Sequence, residues 1–272
     1  MPTTLTHGAH HHRGVYGVQI LLLAFFGMIA LTPLDVGAEP GSTASDLASA
    51  PRCDALHSFA APYRIERGDT TLGTGEVRLE PAETPQCYTL RQVAKPHFLL
   101  RWLSGPAVQE AQLCRQDDRS LRSQSYRQER SGIGSDGENF ALDFDWEAGE
   151  VHGGRFGTLP LEPGQSDPLS LQLRVRQWLC AQPTDQDWTA LDPLRLPVID
   201  KRGADSYTIA VIAREFTDTP AGRFDTLRVE RVDAPDRQAR FWLDLDNDFQ
   251  LVKGEQQKRD DPIVRLTRIP AD

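Results

Sequence analysis

Hydrophobic and polar residues alternate over many short stretches of the chain, and this alternation predicts β-strands. The clearest example is 139–146, N-F-A-L-D-F-D-W, in which Phe140, Leu142, Phe144 and Trp146 would share one face. These four large side chains need cover, because burying each of them contributes about 1.5–3 kcal/mol. The other face carries two aspartates and can remain in water.

Similar short runs recur at intervals of roughly ten residues, separated by turn-forming residues such as those of Ser104-Gly105-Pro106. In the first half, the predicted strands are 61–66, 74–80, 87–93, 97–103, 110–115 and 121–127. In the second half, they are 194–198, 206–214, 224–232, 238–244, 250–256 and 263–269. Helices do not alternate with these strands, so the pattern predicts an antiparallel, all-β protein of about twelve strands.

The stretch 166–180, S-D-P-L-S-L-Q-L-R-V-R-Q-W-L-C, is ambiguous. Its first apolar residues alternate as in a strand, yet Asp167-Pro168 is a helix start signal. A helix would form an apolar stripe of Leu169, Leu171, Leu173, Val175, Trp178 and Leu179. It would direct its remaining polar side chains to water: Arg174, Arg176 and Gln177. Fourteen residues is long for a strand and ordinary for a helix.

The N-terminal region has the features of an export signal. The apolar run 20–31 has twelve residues, whereas a membrane-spanning helix needs roughly 17–25. Val36-Gly37-Ala38 resembles a cleavage site, so we expect a signal peptide at 1–38, with an uncleaved anchor as the alternative. The small, polar stretch 39–52 then predicts a flexible leader, and 53–272 a single β domain. We therefore expect a periplasmic protein without a transmembrane span after cleavage.

Four cysteines lie beyond this signal: Cys53, Cys87, Cys114 and Cys180. An even number in an exported chain indicates disulfides, and three pairings can be drawn. If 56–67 and 72–83 form a hairpin, Cys53 comes near residue 86, which favours Cys53–Cys87 and leaves Cys114–Cys180. Zinc is not favoured, because no two cysteines have C-x-x-C spacing.

The charge and the recognisable motifs limit the function classes. A net charge of −9 argues against binding to nucleic acid. The glycines of 131–137 match G-x-G-x-x-G, but their flanks are predicted strands, so a loop is favoured over a nucleotide site. Asp244, Asp246 and Asp248 have EF-hand spacing, but Phe249 stands where that loop needs glycine, which favours a hairpin turn. We therefore expect no metal and no cofactor.

No catalytic motif is present. The histidines beyond the predicted signal, His57, His97 and His152, form no H-E-x-x-H, and neither Ser166 nor Ser170 lies in G-x-S-x-G. The run 97–102 is apolar on both faces, as in a strand covered on both sides or one that lines a ligand cavity. If a cavity exists, its candidate lining residues are Phe98, Trp102, Phe140, Phe144 and Trp178.

Several segments between residues 56 and 269 together resemble the bacterial family of exported envelope proteins known as domain of unknown function 3108. They are Pro62-Tyr63-Arg64-Ile65 with Gly73-Thr74-Gly75, Phe144-Asp145-Trp146, Asp167-Pro168-Leu169-Ser170-Leu171, Ala221 to Val229, and Phe241-Trp242-Leu243-Asp244. The resemblance implies a strongly curved antiparallel sheet with little helix, and no established activity. By looser analogy, the layout is similar to the half-barrels of periplasmic lipoprotein carriers, in which a sheet wraps around a helix. The Cys53 and Cys87 pair departs from the family pattern.

The cap residues and this resemblance together favour a helix at 168–181, held against the concave face of a twelve-stranded open barrel. The favoured function is non-catalytic binding or carriage of an apolar or amphipathic envelope molecule, such as a lipid or a lipid-linked glycan. The alternatives are a structural scaffold of the envelope, whose concavity is filled by its own side chains, and a hydrolase that acts on cell-wall material.

Overall fold

The computed structural model describes residues 53–97, 104–132, 135 and 137–271. The predicted signal peptide and leader lie outside the described residues. The described chain forms one open antiparallel sheet, which confirms the predicted all-β, curved architecture around a single α-helix. The first eight strands are β1 Phe59–Arg67, β2 Thr70–Pro81, β3 Cys87–Pro96, β4 Ser104–Arg115, β5 Leu121–Gly132, β6 Phe140–Asp145, β7 Glu150–Gly153 and β8 Gly157–Pro160.

The helix and the second set of strands follow. They are α1 Leu171–Cys180, a short 3-10 helix Trp188–Ala190, β9 Leu194–Asp200, β10 Gly203–Thr219, β11 Gly222–Arg231, β12 Arg237–Asp244, β13 Leu251–Lys258 and β14 Val264–Arg268. The sheet has fourteen strands rather than about twelve, because the short β7 and β8 extend the meander beyond β6. Such four-residue strands carry too few positions for a clear alternation.

The strand order is β8-β7-β6-β5-β4-β3-β2-β1-β14-β13-β12-β11-β10-β9. Strands β1 to β8 therefore form one meander of consecutive strands, the first half, and β9 to β14 form another, the second half. The halves meet where β1 pairs with β14, with Tyr63 opposite Arg268. At the two outer edges, the segment after β8 reaches the second half: Ser166 bridges Val198, and the Ile199 amide donates to the Ser166 carbonyl at 2.9 Å. The edges thus approach each other, and the chain then turns inward as α1.

The helix begins at Leu171, after a turn at 168–170, and not at Pro168 as predicted. Asp167 still acts at this end, because its Oδ1 accepts the backbone N–H groups of Leu169 and Ser170, both at 2.9 Å. The predicted apolar stripe packs on both halves of the sheet. Leu169 and Leu173 join the core of the first half, whereas Leu171, Val175 and Leu179 join that of the second.

The predicted cysteine pairing is wrong, because the bonds are Cys53–Cys180 and Cys87–Cys114. Cys87 and Cys114 stand directly opposite each other on the paired strands β3 and β4. Cys53 does not continue the first hairpin, since β1 begins at Phe59. The chain before β1 instead runs to the second half, where Cys53 and Cys180 pack against the same core.

Candidate functional site

The predicted cavity residues do not form one cluster. Phe98 and Trp102 lie outside the described residues. Phe140 and Phe144 share a face of β6 and pack in the first core, with the Phe140 ring 5.3 Å from that of Tyr126. Trp178 is half-buried near the end of α1 and packs against the second core. Since the two clusters lie on opposite sides of α1, the predicted residues Phe140, Phe144 and Trp178 do not line one common space.

A small cavity lies elsewhere, between α1 and the second half of the sheet. Its volume is about 40 Å³. The helix contributes Gln172, Val175 and Arg176 to its wall. The sheet and the β12–β13 turn contribute apolar side chains alone: Ile209, Val229, Phe241, Leu243, Phe249 and Leu251. Such a mostly apolar wall with few polar groups is the usual composition of a small-molecule site.

Arg176 is the charged group of this cavity, and its position corrects a prediction. The helical stripe predicted that its side chain reaches water, but the residue is only 3% exposed. Its Nε donates to the Asp248 carbonyl at 2.7 Å, and its guanidinium lies 4.9 Å from the centre of the Phe59 ring. Within the described part of the chain, Nη1 and Nη2 have no hydrogen-bond partner.

The sequence held a signal for this burial. Leu169, Leu173 and Arg176 follow i, i+4, i+7 spacing, which places Arg176 on the buried side of the helix. Burial lowers the pKa of Arg176 to about 10, although the nearby Asp248, Tyr63 and Asp54 oppose that shift. The guanidinium therefore remains charged at neutral pH.

Asp248 joins the β12–β13 turn to the segment before β1. Its carboxylate accepts the Asp54 backbone N–H at 3.1 Å, and its Oδ2 lies 3.2 Å from His57 Nδ1. Asp248 and Phe249 both have positive φ, which belongs to the tight turn that the aspartate-rich pattern predicted. Within the part of the chain that the structure describes, no group of three or more His, Cys, Asp or Glu side chains is placed to hold a metal ion.

Asp167 forms a second buried polar group, at the start of α1. Ser123 Oγ donates to Asp167 Oδ2 at 2.5 Å, and the Asp167 backbone N–H donates to Ser123 Oγ at 3.1 Å. Burial raises the pKa of the Asp167 carboxyl, and the hydrogen bonds from Ser123, Ser170 and Leu169 oppose this rise. These bonds attach the helix to β5, so the group has a clear structural role.

The histidines and glycines show no catalytic arrangement in the described chain. His57 contacts Asp248, and His152 Nδ1 lies 3.0 Å from Thr158 Oγ1, so neither has a serine partner there. His97 is exposed at the end of the described segment before residue 98. Gly132, the last residue of β5, and Gly137 have positive φ, a conformation that glycine adopts without strain.

These features define an all-β protein whose open, curved sheet holds one helix and a small apolar cavity. The model of the family "Protein of unknown function (DUF3108)" matches residues 62–263, and the chain belongs to this family. The family resemblance inferred from the sequence motifs is thus confirmed. No curated protein matches the chain.

Three crystal structures are similar to the chain at low identity. A beta-barrel-like protein of domain of unknown function DUF1849 from Brucella abortus is 13% identical, with a TM-score of 0.47 over 80% of this chain and 98% of that one. A candidate exported protein with a YmcC-like fold from Bacteroides fragilis is 11% identical, with a TM-score of 0.30 over 77% and 92%. A candidate lipoprotein from Parabacteroides distasonis is 9% identical, with a TM-score of 0.33 over 77% and 92%.

Two further observations concern location. Both disulfides are of the kind that persists in an oxidising compartment, which suggests a location outside the cytoplasm. Among the described residues, no helix has both the length and the apolar character needed to cross a membrane.

Proposed function

We propose that this protein binds an apolar or amphipathic molecule of the cell envelope without chemically changing it. The periplasm is the proposed location, and the apolar space between α1 and β10–β13 is the proposed binding site. The observation that carries the proposal is the composition of this space, in which six sheet and turn side chains are apolar and the helix supplies the polar groups.

The size of the cavity limits what it can take. A buried water needs about 10–15 Å³ of such volume, so 40 Å³ accepts only a short segment of a ligand. The rest of a longer molecule would leave past Gln172, which is half-buried at the cavity wall. The proposed ligand is thus held by one end and is not enclosed along its length.

The test uses octan-1-ol, an uncharged probe with a short alkyl chain. Calorimetric titration of the full chain should show saturable binding, and Val229→Ile should weaken it at least tenfold, because the added methyl group occupies the cavity. Val77→Ile is the matched control, since Val77 is buried in the core of the first half and does not line the cavity. Absence of binding, or equal effects of the two substitutions, would refute the proposed site.

Native mass spectrometry gives an independent test without a chosen probe. Protein released gently from the envelope should carry a bound mass that is displaced by excess octan-1-ol. A bound mass that persists equally in Val229→Ile would place the ligand elsewhere on the protein.

A scaffold function is the second candidate, and the packing of α1 favours it. Leu171, Leu173 and Leu179 are fully buried against the sheet, so the protein's own side chains fill most of the concave face. A scaffold would show neither octan-1-ol binding nor a co-purified ligand.

A further inference from the structure

Arg176 has an unusual environment for a charged side chain. Only 3% of the residue is exposed, and the cavity beside it is otherwise almost entirely apolar. Two of its three guanidinium nitrogens, Nη1 and Nη2, have no hydrogen-bond partner within the described residues. A buried donor without a hydrogen-bond partner is unfavourable, more so when it is charged, because nothing compensates for the water that it has lost.

Asp248 is a nearby carboxylate, but its side chain already has other hydrogen-bond partners. Asp248 provides its backbone carbonyl to Arg176 Nε, while its side chain binds the Asp54 amide and His57. The other described contact of the guanidinium is the face of Phe59. Asp248 and Asp54 still lie near enough to favour the charged form of Arg176, but they leave both terminal nitrogens without an acceptor.

We infer that the occupant of this cavity is an organic anion whose carboxylate or phosphate group accepts hydrogen bonds from Nη1 and Nη2 of Arg176, while its apolar part lies on Val229, Phe241 and Leu243. This inference rests on the proposed function and adds the chemical class of the head group. A guanidinium presents two parallel N–H donors, which matches two oxygens of a carboxylate or a phosphate. The acyl chain of a fatty acid and the alkyl chain of a phosphate monoester both meet the apolar requirement.

Water is the competing occupant. The cavity has room for about three water molecules at roughly 10–15 Å³ each, and these could satisfy Arg176 without any ligand. In that case the site would not distinguish a charged head group from an uncharged one. A comparison of charged and uncharged probes with the same alkyl chain therefore decides whether water or an organic anion occupies the cavity.

The test compares octanoate, octyl phosphate and octan-1-ol, below their micelle-forming concentrations, by calorimetric titration of the full chain. We expect at least one of the two anions to bind at least tenfold more tightly than octan-1-ol. The ratio of octanoate to octyl phosphate affinity identifies which head group the site prefers. Arg176→Met should abolish the preference, because methionine keeps the apolar length of the side chain but has no N–H donors.

Arg174→Met is the matched control. Arg174 lies on the same helix, but its guanidinium donates to the Gly164 carbonyl and does not line the cavity. We expect the anion preference of this variant to equal that of the unchanged protein. Arg176→Lys tests the geometry, because an ammonium keeps the charge without two parallel donors, and it should retain only part of the preference.

The outcomes separate the inference from the proposed function. Equal binding of all three probes, or a preference that survives Arg176→Met, overturns the anion site and leaves the apolar site standing. Failure of all three probes to bind overturns both. If Arg176→Met does not fold, side-chain ¹⁵N resonances of arginine in the unchanged protein provide the readout: octanoate or octyl phosphate should shift the Arg176 Nη signals and octan-1-ol should not, and unshifted signals would refute the inference.

Discussion

The two halves of the sheet pack differently against the same helix. On the side of β1–β8, Leu169 and Leu173 complete a core in which Leu79, Leu90, Leu113 and Leu142 are fully buried. On the side of β9–β13, Val175 and Arg176 face a cavity, and a charged group lacks part of its hydrogen bonding. The helix therefore leaves unfilled space on the side of the second half, and this is the space that we propose a ligand occupies.

The disulfides give the largest expected effect on this comparison. Cys53–Cys180 closes 127 residues and attaches α1 to the segment before β1, whereas Cys87–Cys114 closes 27 residues within the first half. From loop closure in the unfolded chain, losing the first should cost about 5 kcal/mol and the second about 3.5 kcal/mol.

Urea unfolding of Cys53→Ala/Cys180→Ala and of Cys87→Ala/Cys114→Ala measures the two free energies. The second variant is the control, because its bond lies between strands that are already paired. If it proves the less stable of the two variants, loop closure does not dominate and the β3–β4 bond matters for packing.

Matched leucine truncations test the core directly. Leu173→Ala removes a fully buried side chain from the first core and should lower the free energy of unfolding by about 2–5 kcal/mol. Leu243→Ala makes the same change at the wall of the existing cavity. It should cost about 2–3 kcal/mol, the lower end of that range, because fewer neighbours are lost there.

Chemical denaturation of both leucine variants measures this difference. Equal losses would mean that the second half is packed as tightly as the first. A larger loss for Leu243→Ala would reverse the comparison.

Asp167, which attaches the helix to the first half, gives the smallest effect. Asp167→Ala removes the acceptor for two backbone N–H groups and for Ser123, and should cost about 1–3 kcal/mol. Asp167→Asn keeps an oxygen acceptor and cannot ionise. Because burial raises the pKa of this carboxyl, the folded state resists its ionisation.

The sign of the pH dependence follows from that shift. Below about 3.9, the pKa of an unfolded Asp, both states are protonated and the contribution of Asp167 is fully present. It is lost as the pH rises from there through the raised folded pKa, so the unchanged protein should lose stability relative to Asp167→Asn over that window. Thermal unfolding from pH 3 to pH 7 measures the difference, and a constant difference would refute the shift.

Much of the fold could be predicted because its strands are long and half-exposed. In β6, Leu142 and Phe144 are buried while Ala141 and Asp143 are exposed, as the alternation of 139–146 required. The helix was harder to predict, since its first apolar residues also alternate as in a strand. The Asp167-Pro168 start signal favoured the helix. In the structure Asp167 accepts two backbone N–H groups in the turn just before the helix, whose N-cap residue is Ser170.

The disulfides and the site could not be predicted for a different reason. Cys87 and Cys114 meet through the register of β3 and β4, which local patterns do not specify. Cys53 meets Cys180 because the segment before β1 lies outside the sheet and runs to the end of α1. Arg176 resembled a solvated residue in the sequence, and its burial depends on two sheet halves that enclose α1 from both sides.

The pairing of β1 with β14 has a consequence for how the chain reaches this structure. Every other ladder of the sheet joins consecutive strands, so each meander can assemble from local contacts. The β1–β14 ladder joins residues about 200 positions apart, such as Tyr63 and Arg268, and closing so long a loop is slow. A circular permutant that opens the exposed turn near Asp185 and joins the residues beyond β14 to those before β1 would make every strand pair sequential. We expect such a protein to fold faster to the same structure.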